Sequence, residues 1–213
     1  MDKINFLNTI QLDILREIGN IGAGNAATAL SELLNKKIEM NVPRVQVVSF
    51  DEMMELVGGP DEVVAAVFLQ IDGDLTGNMF FLLPVKKATI FIQQLTGMMD
   101  FSFDNPSIPE IALSAFQEMG NILAGSYLSA LSDFLQMKLL PSVPAVGIDM
   151  FGAIISFGLI EISQVSDYAI VIDTEVKDPY TKNDTETFKG HFFLLPDPDS
   201  FAKLFKKLGV EVE

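Results

Sequence analysis

The stretch Glu17-Ile-Gly-Asn-Ile-Gly-Ala-Gly-Asn-Ala-Ala-Thr-Ala-Leu-Ser31 returns 101 residues later as Glu118-Met-Gly-Asn-Ile-Leu-Ala-Gly-Ser-Tyr-Leu-Ser-Ala-Leu-Ser132, with nine of fifteen positions identical. The register runs on without a gap through Val42-Pro43 and Val143-Pro144 to Phe50 and Phe151. Further along, Phe80-Phe81-Leu82-Leu83-Pro84 recurs as Phe192-Phe193-Leu194-Leu195-Pro196, now offset by 112. The polar, turn-rich stretch Lys177–Lys189 accommodates the extra residues and reads as a longer hairpin tip. Two units of this length are too few for a solenoid. They predict one pseudo-twofold domain over residues 1–213, built of repeats at about 8–100 and 107–210.

Each unit reads alike. A long helix opens it, with Asn8 and Gln11 as a capping pair in the first copy and Ser107 to Glu110 as a capping box in the second. Pro43 and Pro144 mark the passage from helix into strand. Strands are expected at Val45–Phe50, Val63–Ile71 and Gly77–Leu83, and again at Val146–Ile155, Tyr168–Val176 and Gly190–Leu195. Shorter helices at Lys86–Thr96 and Ser200–Leu208 close the units, with Gly97 and Gly209 as C-terminal caps. Short turns between consecutive strands imply antiparallel pairing. The fold class is therefore α+β, a pseudo-twofold duplication with helices packed on a largely antiparallel sheet.

Composition narrows the chemistry. The 213 residues include no cysteine and one histidine, which excludes thiol catalysis, disulfide scaffolding and cysteine-based metal sites. With 14 basic and 29 acidic residues the net charge is −15, so nucleic acid and anionic membrane surfaces should repel the chain. Hydrophobic residues make up 49%, too many for a disordered chain. The first dozen residues lack the layout of a signal peptide, and no apolar run approaches the roughly 20 residues of a membrane helix. A cytoplasmic protein without membrane insertion is expected.

At about 100° per residue, Asp13, Glu17 and Asn20 fall within one narrow sector of the first helix. Leu12, Ile14, Leu15, Ile18 and Ile21 are assigned to the core face opposite. Ser114, Glu118 and Asn121 repeat the sector, opposite Ala115, Phe116, Met119 and Leu123. Each unit thus offers a carboxylate and a carboxamide one turn apart, and a solvated helix face is the plainest account of either pair alone. The glycines of Gly19-Asn-Ile-Gly22-Ala-Gly24 do not form a phosphate loop, because amphipathic helix precedes them and Leu123 replaces Gly22 in the second copy. Close packing explains them better. His191, at a strand start with no companion cluster, reads as a strand-end residue.

Both copies satisfy Asp/Ser-x-x-x-Glu-x-x-Asn, then twenty-two residues, then Pro: Asp13, Glu17, Asn20, Pro43 and Ser114, Glu118, Asn121, Pro144. In this the chain resembles, over essentially its whole length, the CheC/CheX/FliY family of bacterial chemotaxis phosphatases. Two motifs separate it from one-site CheX-like members, and no residues remain for the switch domain of FliY-like ones. The resemblance implies hydrolysis of the aspartyl phosphate on the response regulator CheY, so that CheY-P is the substrate. It also implies a regulatory partner, the receptor deamidase CheD, and a chain that is monomeric when free. Glu17 and Glu118 would pair with a lysine of the regulator. Acyl-phosphate hydrolysis has a loose, in-line transition state in which water needs placing more than deprotonating. Asn20 and Asn121 carry carboxamides suited to that task. Asp13 and Ser114 would support the motif locally, and Pro43 and Pro144 would fix the chain's exit. No cofactor or metal is expected on this chain; Mg²⁺ would sit in the regulator's own pocket. Two rivals are a non-catalytic adaptor that sequesters CheY-P or CheD, and a flagellar switch component.

Overall fold

The computed structural model describes residues 9–162, 168–177, 179 and 188–209. In chain order the elements are α1 (Thr9–Leu34), β1 (Glu39–Ser49), α2 (Phe50–Val57), β2 (Val63–Gly73), β3 (Gly77–Pro84), α3 (Val85–Thr96) and α4 (Glu110–Leu135). Then follow β4 (Leu139–Pro141), β5 (Ala145–Met150), α5 (Phe151–Ile162), β6 (Tyr168–Lys177), β7 (Phe188–Pro196) and α6 (Pro198–Lys207). The duplication is visible at the helix ends. α1 is followed by Asn35 at φ 48° and α4 by Gln136 at φ 52°, 101 residues on. Ser31 and Ser132 serve alike too: Ser31 Oγ accepts the Ile38 N–H at 2.9 Å, and Ser132 Oγ donates to the Met137 carbonyl at 2.6 Å.

Among the described residues seven strands form one antiparallel sheet in the order β1-β6-β7-β3-β2-β4, with β5 also on β2. The centre is the β3–β7 pair, where Phe80 faces Phe193 and Phe81 faces Phe192. Phe80 and Phe192 are themselves repeat equivalents, so the approximate twofold axis passes between these four rings. The first strand of each repeat crosses to the other half: β1 pairs with β6, and β4 and β5 pair with β2. The halves are thus laced together through their outer strands.

Both faces of the sheet are covered, which accounts for the nearly unbroken apolar runs of β3 and β7. Phe81 and Phe192, with ring centroids 4.5 Å apart, point with Met79 and Leu194 toward α1, α3, α4 and α6. Phe80 and Phe193 point the other way, toward Met53 of α2 and Phe151 and Ile155 of α5. Among the described residues no helix is long and apolar enough to cross a membrane.

Several expectations need correction. The first strand of each repeat ends sooner than the apolar pattern implies: β1 gives way to helix at Phe50, and β5 stops at Met150 where Val146–Ile155 had been expected as strand. α2 is started by a capping box, Ser49 Oγ accepting the Glu52 N–H at 3.2 Å and Glu52 Oε2 accepting the Ser49 N–H at 2.8 Å. α5 starts on long-range acceptors instead, the Glu62 and Pro60 carbonyls, each 2.8 Å from the N–H of Phe151 and Gly152. The Ser107–Glu110 box does not form; Pro109 is the N-cap of α4 and no side chain caps it. Pro43 lies inside β1 at a bulge, not between helix and strand. His191 is within β7 and has a partner, its Nδ1 lying 2.8 Å from Asp173 Oδ1 on β6. Asn8 and most of Lys177–Lys189 lie outside the described residues. Gly97 caps α3 as expected, at φ 74°, whereas the C-cap of α6 is Leu208 and Gly209 follows it at φ 79°.

Candidate active site

The motif helices α1 and α4 pack against each other on the same face of the sheet. Glycine permits the approach: a Cβ on Gly22 would stand 2.9 Å from the Tyr127 Cα. Gly120 similarly lies against the Val67 side chain of β2, and a Cβ on Gly19 would be 3.2 Å from Val42. Gly24 is different, since it is exposed and a Cβ there would meet nothing within 4 Å. The packing explanation holds for Gly19, Gly22 and Gly120 and fails for Gly24.

The second motif assembles into one groove of about 520 Å³, lined by Ser114, Gln117, Glu118, Asn121 and the segment Pro141–Pro144. Ser114, Glu118 and Asn121 are exposed, and Pro144 is buried at the back. Among the described residues the side chains of Glu118 and Asn121 have no hydrogen-bond or ion-pair partner, so both are presented to solvent. The groove's floor is set by Gln117, whose Nε2 donates to the Pro144 carbonyl at 2.8 Å.

The first motif is divided. A shallow cleft of about 270 Å³ holds Asp13 and Glu17 among Ile10, Ile14, Ile21 and Phe134, without Asn20. Asn20 turns instead toward β1: Val42 N–H donates to its Oδ1 at 2.9 Å, and its Nδ2 donates to the Arg16 carbonyl at 3.0 Å and the Val42 carbonyl at 3.3 Å. Arg16 forms an ion pair with Asp13 at 3.2 Å. Glu17 is exposed and, among the described residues, unpaired. Pro43 is exposed at the bulge.

Helix geometry alone does not explain the split, because Glu118 and Asn121 stand at the same angles to the buried Met119 and Ala124 as Glu17 and Asn20 do to Ile18 and Ala23. The neighbouring strand does: Val42 is buried within reach of Asn20, whereas its equivalent Val143 is turned out to solvent. Ile21, which had been assigned to the core, is 56% exposed because it lies one turn after Glu17 on the same face. The solvated sector read from the sequence therefore holds for Glu17, Glu118 and Asn121 and is corrected for Asn20, which is half-buried: the two sites share a helix position and differ in side-chain state. Gln117, Arg16, Val42 and Phe134 were not singled out from sequence. The Arg16/Gln117 mismatch just before each motif glutamate was the available signal. Among the described residues no three Asp, Glu or His side chains gather so as to hold a metal ion.

A family model described as the CheC-like family matches residues 10–47 and 111–148, one match per motif. The chain is 50% identical over 212 residues, the full length of both proteins, to the CheY-P phosphatase CheC of Bacillus subtilis (strain 168). It is 32% identical over 144 residues to the flagellar motor switch phosphatase FliY of the same organism, which covers 68% of this chain and 37% of that protein. Among solved structures its fold is similar to that of Thermotoga maritima FliY, with a TM-score of 0.71, 23% identity and coverage of 95% of this chain and 98% of that one.

Proposed function

The chain belongs to the CheC-like family, and on that premise we propose that it is a phosphatase that hydrolyses the aspartyl phosphate of the response regulator CheY. The full-length likeness to a CheY-P phosphatase supports the substrate. The observation that carries the mechanism is the groove in which an unpartnered carboxylate, Glu118, and an unpartnered carboxamide, Asn121, stand one turn apart. In a loose, in-line displacement the nucleophilic water must be held on the axis of the breaking P–O bond. The Asn121 carboxamide can accept from that water or donate to it, which fixes its direction without removing its proton in advance. Glu118 offers a full negative charge to a lysine at the rim of the regulator's pocket and so sets the angle at which the two proteins meet. The family resemblance gives Glu17 and Asn20 the same duties at the first site, where the Asn20 carboxamide is engaged by Val42 and Arg16. The catalytic metal, Mg²⁺, belongs to the regulator in this reading.

The wider proposal places the protein in the cytoplasm as a monomer when free, with CheD as a regulatory partner. The deciding assay is phosphate release from phosphorylated CheY with the chain at one hundredth of the substrate concentration. A catalyst clears the phosphoryl group over many turnovers. An adaptor that only sequesters CheY-P leaves the bulk rate unchanged, and that result would remove the enzyme reading. Gel filtration with purified CheD tests the partner.

A further inference from the structure

Both motif helices face a strand bulge. In the β1–β6 ladder Asn41 pairs with Glu175 and Arg44 with Asp173, so Val42 and Pro43 stand opposite Thr174 alone. On β2, Ile71 pairs with Pro141 and Phe68 with Ala145, so Ser142, Val143 and Pro144 stand opposite Leu69 and Gln70. A bulge leaves backbone groups without ladder partners. How those groups are satisfied differs between the copies.

In the first copy Val42 is 2% exposed, so water does not reach it, and Asn20 bonds both its N–H and its carbonyl. In the second copy the equivalent residue, Val143, is turned out to solvent at 82% exposure. Ser142 there engages Gln70, its N–H donating to the Gln70 carbonyl at 2.9 Å and its Oγ accepting the Gln70 N–H at 3.0 Å. The Pro144 carbonyl is bonded by Gln117. The position equivalent to Gln117 is Arg16, whose guanidinium is drawn to Asp13. In the second copy that partner position is Ser114, which carries no charge.

We infer that the two motif sites are unequal by construction, and that Gln117 is the positioning residue responsible: its bond to the Pro144 carbonyl holds the segment in which Val143 turns out to solvent, so that Asn121 meets no buried Val143 backbone and is free to hold water, whereas at the first site Asn20 is bound to the buried Val42. This rests on the phosphatase reading for its kinetic consequence, though not for the inequality itself. Gln117 acts through the Pro144 carbonyl it bonds, and so through the placement of Pro144 and Asn121.

Two measurements test it on the full chain. The first is free of activity: by NMR, the side-chain NH₂ of Asn20 should exchange with solvent at least tenfold more slowly than that of Asn121. Equal exchange overturns the inequality, whatever the enzyme does. The second is steady-state phosphate release from phosphorylated CheY. Asn121→Ala, which leaves the first site alone, should turn over at least tenfold more slowly than Asn20→Ala, which leaves the second. In the Asn20→Ala background, Gln117→Met keeps the length of the side chain and removes its donor. It should lower kcat about tenfold with KM unchanged, and Gln117→Lys, which restores a donor, should recover most of the loss. Equal turnover of the two asparagine variants, or a Gln117→Met defect confined to KM or to melting temperature, overturns the positioning role. Absence of substoichiometric turnover in the unsubstituted chain would instead strike the phosphatase reading, leaving the exchange result to decide the inequality.

Discussion

Asn20 Oδ1 accepts the Val42 N–H at 2.9 Å while Asn20 Nδ2 donates back to the Val42 carbonyl at 3.3 Å, so one side chain closes both ends of a residue that the β1–β6 ladder skips. Asn20→Ala leaves two buried backbone groups unsatisfied, and each such group costs about 1–3 kcal/mol. Asn121→Ala removes no internal bond and should fall within about 0.5 kcal/mol of the parent. Urea unfolding of the two variants reads the difference directly. Equal midpoints would mean that water replaces Asn20 at the bulge.

The glycines of α1 divide on the same kind of accounting. Gly22→Ala forces a methyl to within 2.9 Å of the Tyr127 Cα, which is backbone and cannot swing aside. Prying α1 from α4 should cost about 1–3 kcal/mol. Gly24→Ala meets nothing within 4 Å, lies in the middle of an exposed helix face and should stabilise by up to about 1 kcal/mol. Thermal melts of the two variants should move in opposite directions.

Much of the fold was legible because the repeat itself was. Phe80-Phe81-Leu82-Leu83 and Phe192-Phe193-Leu194-Leu195 announced strands buried on both faces, and Gly97 and Gly209 announced helix ends. The exchange of outer strands was not legible, since pairing β1 with β6 or with β2 satisfies the same alternation of side chains. α2 could have been found from the Ser49–Glu52 spacing, but α5 could not, because carbonyls of Pro60 and Glu62 start it from a distant turn. At the site, the sector argument placed Glu17, Glu118 and Asn121 on accessible faces. It missed Asn20 because 3.6-residue geometry gives an angle and not the height of the neighbouring strand.

Tyr127 provides a probe of the α4–sheet contact. Burial pushes its phenol up to about 12, and the hydrogen bond to Thr174 Oγ1 at 3.0 Å pulls in the opposite direction. The unfolded chain loses the same proton near the usual value of about 10. The protonated form is thus favoured by folding, so its contribution is complete below pH of about 10 and is lost as pH climbs toward about 12. A shift of that size corresponds to about 2–3 kcal/mol. Urea midpoints measured across this window should fall more steeply for the parent than for Tyr127→Phe, with lysine titration common to both. Parallel curves would show that the phenol reaches solvent.

The last prediction separates the two members of the open site. Glu118 is proposed to hold the regulator's lysine, an encounter contact present before and during the reaction, whereas Asn121 is proposed to act on the water alone. Interactions made equally in the ground and transition states appear in KM, and those made only in the transition state appear in kcat. Glu118→Gln keeps the shape and removes the charge. For an exposed pair worth at most about 1 kcal/mol, KM should rise up to roughly fivefold with a smaller change in kcat. Asn121→Ala should instead lower kcat at nearly constant KM. Salt checks the assignment independently, because the Debye length falls from about 10 Å at 0.1 M to about 3 Å at 1 M. Raising salt should increase KM for the parent and leave Glu118→Gln almost unmoved. The measurement is phosphate release from phosphorylated CheY at two ionic strengths. Matching kinetic defects with matching salt responses in the two variants would mean that the carboxylate and the carboxamide act as one unit, holding a single bound geometry.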